Sequence, residues 1–111
     1  MKKQITLIAL FLLVAGFLNA QTPAEDMANH IATKMKDTLS LSNEQRTQIF
    51  NINMQLHNQK TSVRQQYANA DSVRFYFQRI ENTRDSLYRS VLSQNDFQLY
   101  QQKKRNLISR N

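Results

Sequence analysis

Cysteine is absent from the 111-residue chain, and glycine and proline occur once each. Without cysteine there can be no disulfide, no thiol nucleophile and no lipid-modified cysteine anchor, so stability has to come from packing. The single glycine, Gly16, lies in an N-terminal apolar run, leaving no glycine in residues 17–111. Hairpin turns lean on glycine to reach positive φ, so a β-domain without one would be hard to build, and no glycine loop can cradle phosphate. The single proline, Pro23, follows a threonine, where its fixed φ can open a helix. An all-α domain is therefore expected.

Lys2 and Lys3 precede an uncharged apolar run from Ile5 to Phe17, and the small Ala20 follows shortly after. This is the layout of a secretory signal peptide, and the run is shorter than the roughly 20 residues a spanning helix needs. Residues 1–20 are read as a signal segment cleaved after Ala20. Residues 21–111 are then a single exported, periplasmic domain with no stable membrane anchor. Loss of Lys2 and Lys3 leaves 13 basic against 8 acidic side chains. Such an excess invites a nucleic-acid reading, but export removes that partner and the basic residues form no single run. A positive surface that steers acidic or unfolded polypeptides fits better.

Four helices are expected. The first opens on Thr22-Pro23-Ala24-Glu25, a cap, a first-turn proline and the acid three residues after the cap, and buries Ala24, Met27, Ala28, Ile31 and Met35. The second opens on the capping box Ser42…Gln45, with an apolar stripe of Ile49, Ile52, Leu56, Val63, Tyr67 and Ala70. Asn69 and Asp71 mark a break. Asp71 is expected to cap the third helix, whose stripe is Val73, Phe77, Ile80, Leu87 and Val91. Ser93 caps the fourth, with Asp96 where the first copy has Gln45, and Leu92 placed to staple Phe97. Asp96 is too short to close the box.

The phrase Leu41-Ser42-Asn43-Glu44-Gln45 thus returns as Leu92-Ser93-Gln94-Asn95-Asp96 before a second helix. In a small exported all-α chain this resembles the LTxxQ motif of the Spy/CpxP family. The first copy departs by Ser for Thr, and the second also by Asp for Gln. The resemblance spans roughly Met27 to Leu107. It implies helical hairpins paired into a cradle-shaped homodimer, and ATP-independent chaperoning or dampening of an envelope-stress sensor by binding unfolded or partner polypeptides. In relatives it implies metal binding, so a periplasmic metal-binding or metal-sensing protein is the alternative. Residues Leu41, Ser42, Gln45, Leu92, Ser93 and Asp96 are a structural motif on this reading.

No catalytic constellation is apparent, and no enzyme, cofactor or metal site is expected. Glu81 and Asp85 share a helix face with Arg84 and Arg89 within a turn, the pattern of a solvated salt-bridge face. Met27, His30 and Met35 would suit copper by ligand softness, but the two methionines sit on the core stripe. At about 100° per residue, Arg46, Phe50, Met54, His57, Thr61 and Arg64 form a second stripe on the second helix, while Phe75 and Leu99 point away from the core faces of theirs. Arg46, Phe50, Met54, His57, Arg64, Phe75 and Leu99 are the candidate client-binding residues, apolar groups interleaved with cations.

Overall fold

The computed structural model describes residues 22–110, so the expected signal segment lies outside the described residues. Four helices follow in chain order: α1 Pro23–Leu39, α2 Asn43–Gln66, α3 Ala70–Arg89 and α4 Gln94–Leu107. No strand occurs among the described residues, and the fold is all-α. None of these helices is long and apolar enough to cross a membrane.

Each start is chemically specified. Thr22 Oγ1 accepts the Glu25 N–H at 3.1 Å, and the Glu25 carboxylate takes the Thr22 N–H in return, closing a capping box. Pro23 occupies the first helical position, where no N–H is needed. α1 then buries Ala28, Ile31, Ala32, Met35 and Leu39 at helical spacing. It ends at Ser40, which stands in the left-handed region at φ 56° and ψ 48°, letting the chain turn straight into the second capping box.

The third start differs from expectation. Asn69, not Asp71, caps α3: its Oδ1 accepts the N–H groups of Asp71 at 2.7 Å and Ser72 at 3.3 Å. An amide on an extended backbone two residues earlier reaches both free N–H groups, so Asp71 falls inside the first turn and pairs at 3.5 Å with exposed Arg74. Tyr67 closes α2 in an extended conformation. The expected stripe therefore stops before Ala70, which begins the next helix and is exposed.

α2 packs on α1 to one side and α3 to the other, and α4 returns to α1 with a lighter contact to α3. The molecule measures 51 × 40 × 25 Å, and its thin dimension is about two helix diameters. The core gathers Ile31, Met35 and Leu39 of α1 with Ile49 of α2, Tyr88 of α3, and Phe97, Tyr100 and Leu107 of α4. Tyr88 and Tyr100 meet edge to face at 5.1 Å, and both rings are fully buried. The core lies toward one end. From His57 through Thr83, covering the distal half of α2 and most of α3, no residue is buried. That hairpin is a two-helix arm without a core of its own.

Candidate functional site

The two copies of the repeated phrase meet in space. Leu41 and Leu92 are both buried in the one core. Ser42 Oγ accepts the Gln45 N–H at 3.1 Å, and Gln45 Oε1 accepts the Ser42 N–H at 2.9 Å. The other end of the same amide, Gln45 Nε2, donates to the Val91 carbonyl at 3.1 Å, immediately before the second copy. Gln45 thus closes its own cap and latches the end of α3 against the start of α2. In the second copy Ser93 Oγ accepts the Asp96 N–H at 3.1 Å with no bond returned from the Asp96 side chain. The return bond needs a side-chain oxygen that reaches the cap N–H, as Glu25 and Gln45 do, and Asp96 is one methylene too short. Ser42→Ala should therefore destabilise the fold by about 0.5–2 kcal/mol and Ser93→Ala by less, as read by chemical denaturation; a neutral Ser42→Ala would refute the cap.

The expected solvated face on α3 is instead the most buried polar cluster. Arg84 is 7 % exposed. Its Nε donates to both Glu81 oxygens at 2.9 and 3.0 Å, and its Nη1 to Asn53 Oδ1 at 3.2 Å and Tyr88 OH at 2.8 Å. Tyr88 OH also donates to Asn53 Oδ1, and Asn53 Nδ2 donates to the Ala28 carbonyl at 3.1 Å. Three helices are thereby tied through one buried amide. Asp85 faces the other way, accepting from Tyr100 OH at 2.9 Å and from Lys104. Arg89 lies over the Phe97 ring at 4.5 Å. Spacing alone places these charges on one face of α3, but α2 and α4 pack against that face and divide it.

The electrostatics follow the burial. Burial pushes the Glu81 carboxyl up, yet the hydrogen bond and charge of Arg84, with Lys60 at 3.4 Å, hold it below its ordinary value of 4.5. Burial also pushes Tyr88 up to about 12, against the opposing pull of Arg84. Burial and then the Asp85 hydrogen bond drive Tyr100 further up. Because the folded Glu81 pKa is depressed, the unfolded chain binds more protons just below pH 4.5. Stability should therefore fall as pH drops through and below that value. Glu81→Gln should flatten this acid limb in urea titrations at pH 7, 4.5 and 3; an unchanged slope would assign the limb to other carboxylates.

The stripe expected to bind clients is not one surface. Arg46 donates from Nη2 to Asn29 Oδ1 at 3.1 Å and Thr33 Oγ1 at 3.0 Å, both on α1. Phe50 is half-buried against the core, as is Leu99, which sequence reading had pointing away from it. Ridge-and-groove packing of α2 on α1 engages a wider arc of the helix than the one stripe assigned to the core. Met54 is half-buried, and His57 is exposed beside the Thr61 hydroxyl at 3.4 Å. Further along, Arg64 is exposed and covers the Phe77 ring at 4.9 Å. Phe75 is 58 % exposed, with Arg79 5.9 Å from its ring.

The arm carries apolar groups that stripe-by-stripe reading assigned to the core. Tyr67 and Tyr76 stack at 4.5 Å across the α2–α3 connection. Below them an open, mostly apolar groove runs between the helices, lined by Val63, Tyr76, Ile80 and the stem of Arg79. The sequence signal was present in "VRFYFQRI", three consecutive aromatics flanked by arginines, which is too apolar all round for a helical segment packed on only one neighbour. Of the softer metal ligands considered, Met35 is fully buried in the core while His30 is exposed, so they are not brought together. Among the described residues no group of three or more His, Cys, Asp and Glu side chains is placed to hold a metal ion. No family model, curated protein or solved structure matches the chain, so its function rests on the geometry above.

Proposed function

We propose that the chain is an exported, ATP-independent chaperone or envelope-stress adaptor of the Spy/CpxP kind, acting by binding unfolded or partner polypeptides on the α2–α3 arm. One observation carries the reading: no residue from His57 to Thr83 is buried, although Val63, Tyr67, Phe75, Tyr76, Phe77 and Ile80 lie there. A contiguous half-exposed apolar face rimmed by charge is what a soluble chain keeps for a partner. Lys60, Arg64, Arg74 and Arg79 outnumber Asp71 and Glu81 on the arm. They would speed capture of acidic or flexible clients, while the aromatic and aliphatic groups hold them. The repeated Leu-Ser motif supports the same assignment, and with it a homodimer in which a second copy could shield the arm when no client is bound.

Of the residues expected at the site, Arg64 and Phe75 belong to this face, with Met54 and His57 at its root. Arg46, Phe50 and Leu99 serve the fold. Purified residues 21–111 should suppress aggregation of an unfolding client without nucleotide. The triple variant Val63→Ser, Phe75→Ser, Ile80→Ser should lose that suppression while keeping the wild-type helical signal. Wild-type protein that leaves aggregation unchanged at a severalfold molar excess would defeat the reading.

A further inference from the structure

At the root of the arm, α1, α2, α3 and the residues after α4 enclose a partly open cavity of about 180 Å³. One wall is apolar: Ala24, Met27 and Ile31 of α1 with Ile108 beyond α4. The facing wall is polar and cationic: His57 and Lys60 of α2, with Glu81 and Arg84 of α3. Arg84 is nine-tenths buried, and its donors are only partly used. Nε and Nη1 are taken by Glu81, Asn53 and Tyr88, whereas Nη2 makes no hydrogen bond among the described residues. No side-chain nitrogen in the described residues is both buried and unpartnered, so Nη2 is not fully enclosed, and Arg84 is among the residues lining the cavity.

A guanidinium held by three protein groups, with one edge left free, is a preorganised donor to a carboxylate. Among the described residues the one acid on the cavity wall, Glu81, is already shared between Arg84 and Lys60, and those two cations leave the wall with a positive excess. An anion entering here would find an arginine edge, a lysine ammonium and an imidazole on one side and methionine and isoleucine on the other. The volume also limits it, since a cavity of about 150 Å³ holds a benzene-sized group.

We propose that this cavity binds a carboxylate attached to a compact branched or thioether apolar group, the chemistry of a free small acid or of the C-terminal residue of a polypeptide. Arg84 Nη2 and Lys60 would hold the carboxylate, and Met27, Ile31 and Ile108 would cover the apolar group. The site depends on the root of the arm and not on the arm's exposed aromatic face, so it stands or falls separately from the chaperone reading.

The test is a titration of ¹⁵N-labelled protein with N-acetyl-leucine and with N-acetyl-leucinamide, followed by amide and arginine side-chain shifts. The acid should give saturable shifts at Ala24–Ile31, Asn53–Lys60 and the Arg84 side chain. The amide should bind at least about tenfold more weakly, because it lacks the charge-assisted bond. Ala24→Leu, which fills the cavity from its rim without touching the Arg84 network, should abolish the shifts while leaving the thermal melt in place. Lys60→Met should weaken the acid severalfold and leave the amide unchanged. A leucine-terminated peptide that competes with the acid, and loses competition when amidated, identifies a polypeptide C-terminus as the source. Acid binding with no competition from the peptide identifies a free small carboxylate. Equal responses to acid and amide, or shifts that persist in folded Ala24→Leu, would overturn the proposal.

Discussion

Arg84→Met should cost about 3–5 kcal/mol, the loss expected when one partner of a buried, hydrogen-bonded charge pair is removed. Glu81 would keep only Lys60, and Asn53 Oδ1 would keep only the Tyr88 hydroxyl. Because Glu81 is 26 % exposed, water can rescue part of its lost solvation, which places the effect toward the lower end of that range. Removing the whole network is a different experiment. Arg84→Met with Asn53→Leu, Glu81→Gln and Tyr88→Phe strands far fewer polar groups and should cost less than Arg84→Met alone, a strongly non-additive outcome. Urea denaturation of the single and quadruple variants reads both numbers. A single variant within 1 kcal/mol of wild type would mean that the guanidinium is already solvated in the fold.

Amides between Lys60 and Ile80 should exchange with solvent at least about 100-fold faster than those around Met35, Ile49 and Tyr88, once intrinsic rates are removed. The arm has no buried residue to protect, and its hydrogen bonds rest on one helix–helix contact. Met35, Ile49 and Tyr88 are fully buried and open only when the core opens. Met35→Ala should accordingly destabilise the whole domain by about 2–5 kcal/mol and raise exchange everywhere in the core, leaving the arm's faster local opening unchanged. Native-state exchange mapped by mass spectrometry or NMR tests this. Uniform protection along α2 would show that the arm is as firmly held as the core.

Helix number, order and three of the four caps were legible because they depend on neighbours in sequence: Thr22 with Glu25, Ser42 with Gln45, Ser93 with Asp96. Asn69 was seen as a breaker and misread as to role, since Asn69 and Asp71 are both competent caps and only the backbone angle chooses between them. The core of α1 was legible because Ala28, Ile31 and Met35 are apolar at helical spacing. The seam of α2 and α3 was not. It runs through Asn53 and Arg84, and a polar residue announces burial only when its partner, 31 positions away, is known. The same blindness split the candidate site. Arg46 is as cationic in sequence as Arg64, but only the fold shows that one is spent on α1 and the other faces solvent over Phe77.

The long-range bond from Gln45 to Val91, together with the Asn53–Arg84 pair, bears on the order in which the chain can fold as it is made. Synthesis delivers α1 and α2 first. At that stage the Asn53 carbonyl oxygen lies in the α1–α2 seam without its guanidinium or hydroxyl partner, and the Gln45 amide has half its bonds. Met35, Leu39 and Ile49 also lack the Tyr88, Phe97 and Tyr100 surface they are buried against, so a lone two-helix hairpin has too little apolar burial to settle. Residues 43–66 must therefore wait for residues 84–91, and the nascent N-terminal half stays open and pliable until most of the chain exists.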